Sequence, residues 1–180
     1  MAHGLKLYFM IGLPGETEAD VAEIPVLARR MAAEFASGRA GAEVSVSVST
    51  FVPKPRTPFQ WLPMVPEAEI RAKLAMLRRA FVVRPRIEFS GVGPREAWRQ
   101  GVISRGGRAV SGAIRLAVSD GLPWKAALKR SGIDAEAVAG SRYADDEVFP
   151  WEIVDIGVPR SALLASLAKA IEAAKARGAH

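Results

Sequence analysis

Valine and serine alternate through Val44-Ser45-Val46-Ser47-Val48-Ser49-Thr50-Phe51-Val52, and only an extended chain with a two-residue side-chain period sorts such a pattern onto two faces. The branched side chains favour that conformation, and Pro53 and Pro55 end it. The valines are expected to pack under helices, with the serines on the opposite face. Upstream, Leu5 to Ile11 is a nearly continuous apolar run, which predicts a strand buried on both faces, as in a parallel sheet. It stops at Gly12-Leu13-Pro14-Gly15, and Thr17 with Asp20 has the spacing of a capping box. A helix should follow over about 18–36, with Ile24, Leu27, Met31 and Phe35 buried. Pro25 predicts a kink or a restart within it. Strand, helix and strand in that order make a βαβ unit with parallel strands and a right-handed crossover.

Farther along, Ile70, Leu74, Leu77 and Phe81 recur at helical spacing over 67–81, with Glu67–Arg71 and Glu69–Lys73 as outward pairs. Arg86-Ile87-Glu88-Phe89-Ser90 reads as a third strand. Helices are expected from Pro94 to about Arg105, from Ala109 to Ser119 and from Trp124 to Arg130. Residues 140–158 read as an ordered loop packed by its aromatics, and Ser161 to Arg177 as a last helix stopped by Gly178. The expected class is α/β, with an α/β portion over 1–90 and a helical extension over 91–180.

A chain of 180 residues with 49% hydrophobic content can bury a real core. It has no cysteine, and its two histidines are His3 and His180. Disulfides, thiolate catalysis and Cys-ligated zinc or iron–sulfur sites are thereby excluded from this chain. No metal ligand set or catalytic residue is assigned. With no long apolar run and no leader-like start, the sequence reads as cytoplasmic. The net charge of +6 suits RNA. Its 25 basic residues are nevertheless spread thinly, without a run of five like charges. A small basic α/β binding module for RNA or another anionic partner is the alternative function.

Tyr8-Phe9-Met10-Ile11-Gly12-Leu13-Pro14-Gly15-Glu16-Thr17 resembles the fifth strand and following loop of the radical S-adenosylmethionine (SAM) superfamily, in its cobalamin-binding-type and methylthiotransferase-like branch. Ser49-Thr50-Phe51-Val52-Pro53-Lys54-Pro55-Arg56-Thr57-Pro58 resembles the sixth strand and its exit loop. Ile103-Ser104-Arg105-Gly106-Gly107-Arg108 is similar to an Arg-Gly-Asp-Arg segment of one subfamily, with Gly107 where an acid is usual. Phe149-Pro150-Trp151-Glu152 is similar to that subfamily's Leu-Pro-Trp-Asp motif. The family's Cys-x3-Cys-x2-Cys motif and first four strands have no counterpart here.

The resemblance implies the C-terminal part of an incomplete, partial TIM-type barrel with a helical extension. It further implies reductive cleavage of SAM to a 5′-deoxyadenosyl radical, which abstracts hydrogen from a substrate. The 4Fe–4S cluster would be held by the missing N-terminal half of the same protein, the implied partner, and the full-length protein would have room for cobalamin. Met10, Ile11 and Gly12 would face the adenine, with core packing as the alternative for the first two. Glu16 would cap the helix start or brace the loop, capping being preferred. Ser47 and Ser49 share a face and would meet the ribose or amino acid part if that face points inward. Phe51 and Val52 would flank the adenosine. Lys54 and Arg56 would meet an anionic substrate, or simply solubilise the loop.

Overall fold

The computed structural model describes residues 4–37, 43–82 and 87–178. Arg86, His3 and His180 lie outside the described residues. The described chain divides into two compact units, one made from 1–51 with 66–94 and the other from 52–65 with 95–180.

The first unit is an open, parallel three-stranded sheet with helices. Strands β1 (Gly4–Ile11), β2 (Glu43–Thr50) and β3 (Ile87–Gly91) lie in that order, joined by helices α1 (Glu18–Ala36) and α2 (Glu67–Val82). Leu7 pairs with Val46, and Val46 with Phe89, fixing one side of the sheet; Tyr8, Ser47 and Ser90 share the other. Leu7, Ile11, Val44, Val46 and Val48 are buried, as are Ile70, Leu74, Leu77 and Phe81 of α2. The valines take the covered face and the serines the opposite one, as the alternation predicts. Phe81 stacks on Phe89 at 5.1 Å between ring centroids, closing that core at its third strand.

Two expectations for this unit are corrected. β1 is not buried on both faces: Tyr8 is 71% and Met10 47% exposed. The apolar run is continuous because large side chains also occupy the open face, where burial does not select them. In α1 the buried stripe is Val21, Ile24, Pro25 and Ala28, while Leu27 and Met31 are exposed. Both stripes have the helical period, and the smaller residues form the one that is covered. Pro25 lies buried inside a single helix that does not restart. Thr17 accepts from the Asp20 N–H at 3.2 Å and its own N–H donates to the Asp20 carboxylate at 2.8 Å, completing the capping box.

The second unit is helical: α3 (Pro94–Arg105), α4 (Val110–Ser119), α5 (Trp124–Arg130), a π-helical turn at Glu136–Gly140, and α6 (Arg160–Gly178). The expected α3, α4 and α5 agree with these bounds to within a residue; the π turn lies in sequence with no distinctive signal. Trp61, Leu62, Phe149, Leu163 and Leu167 form an apolar cluster, with Trp151 stacked on Phe149 at 4.6 Å. Both tryptophans therefore anchor the long loops. Gly106 is required for close packing: a Cβ there would sit 2.1 Å from Val110 Cγ2 and 2.7 Å from the Val102 carbonyl oxygen.

Candidate functional site

In the first unit Met10, Gly12, Glu16, Ser47 and Ser49, of the residues that the sequence singled out, lie toward the carboxyl ends of parallel strands, the usual position for ligands in α/β sheets. The open face carries Tyr8, Ser47 and Ser90 in one row and Met10 with Ser49 in the next. Ser49 Oγ donates to the Phe9 carbonyl oxygen at 3.3 Å, and Ser90 Oγ to that of Val46 at 3.4 Å. A hydroxyl that donates to the backbone keeps lone pairs for a ligand's donors. Met10 adds a soft apolar side chain beside them.

Ile11 does not share that face. Successive residues of a strand point to opposite sides, and Ile11 is fully buried on the helix-covered side. Its expected contact with adenine is replaced by core packing. Phe51 continues the pairing of the two strands, its N–H donating to the Ile11 carbonyl oxygen at 2.8 Å, and it is buried.

The β1–α1 turn is built around two glycines with positive φ, Gly12 at 79° and Gly15 at 79°, a conformation that side-chain-bearing residues rarely adopt. Glu16 braces it. Both carboxylate oxygens lie 2.9 Å from the Gly12 nitrogen, within reach of its N–H, and the Glu16 N–H donates to the Leu13 carbonyl oxygen at 3.0 Å. The preferred capping role is thus corrected: Thr17 and Asp20 cap α1, and Glu16 ties the turn to itself. Lys73 of α2 reaches Glu16 Oε1 at 2.8 Å and Glu69 Oε1 at 2.5 Å. The Lys73 and Glu16 side chains are only 10% and 8% exposed. Burial alone lowers the Lys73 pKa, but hydrogen bonds and charge attraction from Glu16 and Glu69 outweigh it and leave the ammonium above its ordinary value. The sequence offered Lys73 only as the partner of Glu69; its bond to Glu16 joins residues distant in the chain, and no local spacing reveals it.

In the second unit Val52 is half-buried. Lys54 Nζ donates to Ser104 Oγ at 3.1 Å on an exposed surface. Arg56 is committed to the loop. It has a positive φ of 58°, its N–H donates to Gln60 Oε1 at 2.9 Å, and its Nη2 donates to the Glu152 carbonyl oxygen at 2.7 Å. The same Gln60 oxygen accepts from Trp151 Nε1 at 2.8 Å. Arg56 is therefore first a loop-fixing residue.

Arg105 is the polar centre that sequence reasoning missed. It is 2% exposed, and its Nη1 donates to the Leu62 and Ala139 carbonyl oxygens at 2.6 and 3.1 Å, its Nη2 to that of Ser141 at 2.7 Å. The guanidinium lies 4.1 Å from the centre of the Tyr143 ring. Burial holds its pKa below the ordinary value, partly countered by Tyr143.

No family model matches the chain, and no solved structure does. It is 38% identical over 56 residues to a Methanocaldococcus jannaschii protein described as "Uncharacterized protein MJ0966". That stretch is 31% of this chain and 11% of the relative, so the likeness covers a small part of a much longer relative. Among the described residues no group of three or more His, Asp or Glu side chains could hold a metal ion. None of the described helices is long and apolar enough to cross a membrane.

Proposed function

We propose that the first unit is a segment of a partial TIM-type radical SAM barrel whose open sheet face receives the adenosine side of SAM. The observation that carries this reading is a parallel sheet covered by helices on one face and lined by serines on the other, ending in a glycine turn at its carboxyl edge. Parallel sheets are ordinarily covered on both faces, and a barrel interior is where one face instead meets side chains and ligand. The two motifs resembling the fifth and sixth barrel strands fall on β1 and β2, adjacent and parallel.

Met10, Gly12, Ser47 and Ser49 hold the nucleoside in this reading, and Glu16 holds the turn. An apolar methionine, a glycine backbone and hydroxyl acceptors fit a purine nucleoside chemically. The 4Fe–4S cluster does not fit: the chain has no cysteine, and thiolates are its ligands. That cluster, and cobalamin if used, belong to a cysteine-bearing N-terminal half, which supplies the 5′-deoxyadenosyl-radical chemistry. This chain's share is to bind and orient the nucleoside and to shield it from water. The alternative of an RNA-binding module weighs less, because Arg56, Lys73 and Arg105 are committed to internal partners.

The test is anaerobic 5′-deoxyadenosine formation. The chain alone is expected to give none, and the chain combined with a cluster-loaded, cysteine-bearing half to give turnover. Turnover without that half, or none from a folded complex, overturns the reading.

A further inference from the structure

We propose that Lys73 is a positioning residue for the Gly12–Gly15 turn, acting through the Glu16 carboxylate; its link to SAM rests on the function proposed above. Two independent features of the geometry carry the proposal. Gly12 is buried at the end of β1 with a positive φ, and the Glu16 carboxylate is the acceptor for its N–H. Glu16 is in turn a nearly buried charge whose ion-pair partner is Lys73. Lys73 arrives from α2, across 57 residues of chain, and α2 is fixed by Ile70, Leu74 and Leu77 in the core of the same unit. The conformation of the turn is therefore set by a helix beyond β2, through one charge relay of 2.9 and 2.8 Å steps. Glu69, from the same helix as Lys73, shares the ammonium at 2.5 Å.

Removing Lys73 leaves a carboxylate buried without a cation, a costly state that is relieved when Glu16 turns to water. The Gly12 N–H then loses its acceptor. A neutral glutamine at 16 has no such need and still offers an oxygen to Gly12. Lys73→Met and Glu16→Gln are thus expected to compensate each other.

The experiment measures amide hydrogen exchange at Gly12 in the full chain. Lys73→Met should speed it at least about tenfold, the loss of a charge-assisted hydrogen bond, while amides at the centre of β2 stay protected. Lys73→Arg, which keeps the charge, and the double variant K73M/E16Q should restore protection. Unchanged exchange at Gly12 in K73M overturns the proposal. If K73M does not fold, a folded K73M/E16Q supports it, because the fault then lies in the unpaired charge. Failure of both to fold overturns it and makes Lys73 a packing residue. In the complex with the cysteine-bearing half, K73M should raise KM for SAM with little change in kcat, and K73R should not. A fall in kcat at unchanged KM would show that Lys73 does not act through the nucleoside turn. Absence of turnover in the unsubstituted complex sinks the SAM reading, and the exchange measurement still decides the role of Lys73.

Discussion

Arg105 shows how much one side chain can organise when it enters a core without a carboxylate. A guanidinium presents five donors in a planar fork, and here two of its nitrogens collect carbonyl oxygens from the loop before α2, the π turn and the residue after it. Helix ends and loops leave carbonyls without partners, and burying them unpaired is costly. Arg105 reaches three at once, of which the Ala139 oxygen also accepts from the Met64 N–H at 2.9 Å. Arg105→Met retains the apolar stem but strands the Leu62 and Ser141 oxygens, so it should lower stability by about 3 kcal/mol, the scale for breaking a buried charged network. Arg105→Lys should fall between, because an ammonium cannot span all three acceptors in the same plane. Urea unfolding with an unchanged slope checks both; a loss near zero for the methionine variant would show that water replaces the guanidinium. Arg56 works similarly at smaller scale, pinning a left-handed backbone position with Gln60, and its role in the loop comes before any role toward a substrate.

At the scale of elements, the β2 alternation was the most legible feature of the sequence because each residue type matched the environment of its face. Val46 is fully buried, and Val46→Ala should cost about 2 kcal/mol through lost burial and the cavity left behind. Met10 lies on the open face at 47% exposure, so Met10→Ser should change stability by less than about 0.5 kcal/mol while weakening any ligand held there. Equal losses for the two variants in thermal unfolding would mean that the open face is a second core. The β1 pattern misled, since an apolar run specifies neither face once large residues occupy both. The α1 stripe misled for the related reason that two helical stripes satisfy the same period. Of the candidate site, the shared face of Ser47 and Ser49 was legible from the two-residue period and the tight turn at Gly12 from its glycines, whereas their roles toward a nucleoside rest on the resemblance alone. Lys73 and Arg105 were not legible: their partners are set by tertiary approach over 57 residues in one case and by backbone carbonyls, which no sequence displays, in the other.

For the molecule as a whole, the consequence of an open parallel sheet is association. Within the described residues β1 and β3 are paired on one side only, and a free strand edge offers a row of backbone donors and acceptors to another chain. The open face adds apolar surface beside that edge, with Tyr8 at 71% and Met10 at 47% exposure. Edge strands that remain single are usually protected by inward charges, prolines or bulges; β1 carries one charge, Lys6, and no proline. The chain should therefore self-associate in a concentration-dependent way when isolated, through β1. Adding charge beside the edge tests the route: Tyr8→Lys places a cation on an exposed position one register step from Lys6 on the same face, and should shift the population toward monomer without loss of fold, because no core contact is removed. The cysteine-bearing half, in the proposed reading, supplies the strand that pairs with β1 and should suppress the association in the same way. Sedimentation velocity across a concentration series reads both effects. A monomer at every concentration, with β1 amides slow to exchange, would mean that the edge is already satisfied and that an open sheet is not what recruits a partner.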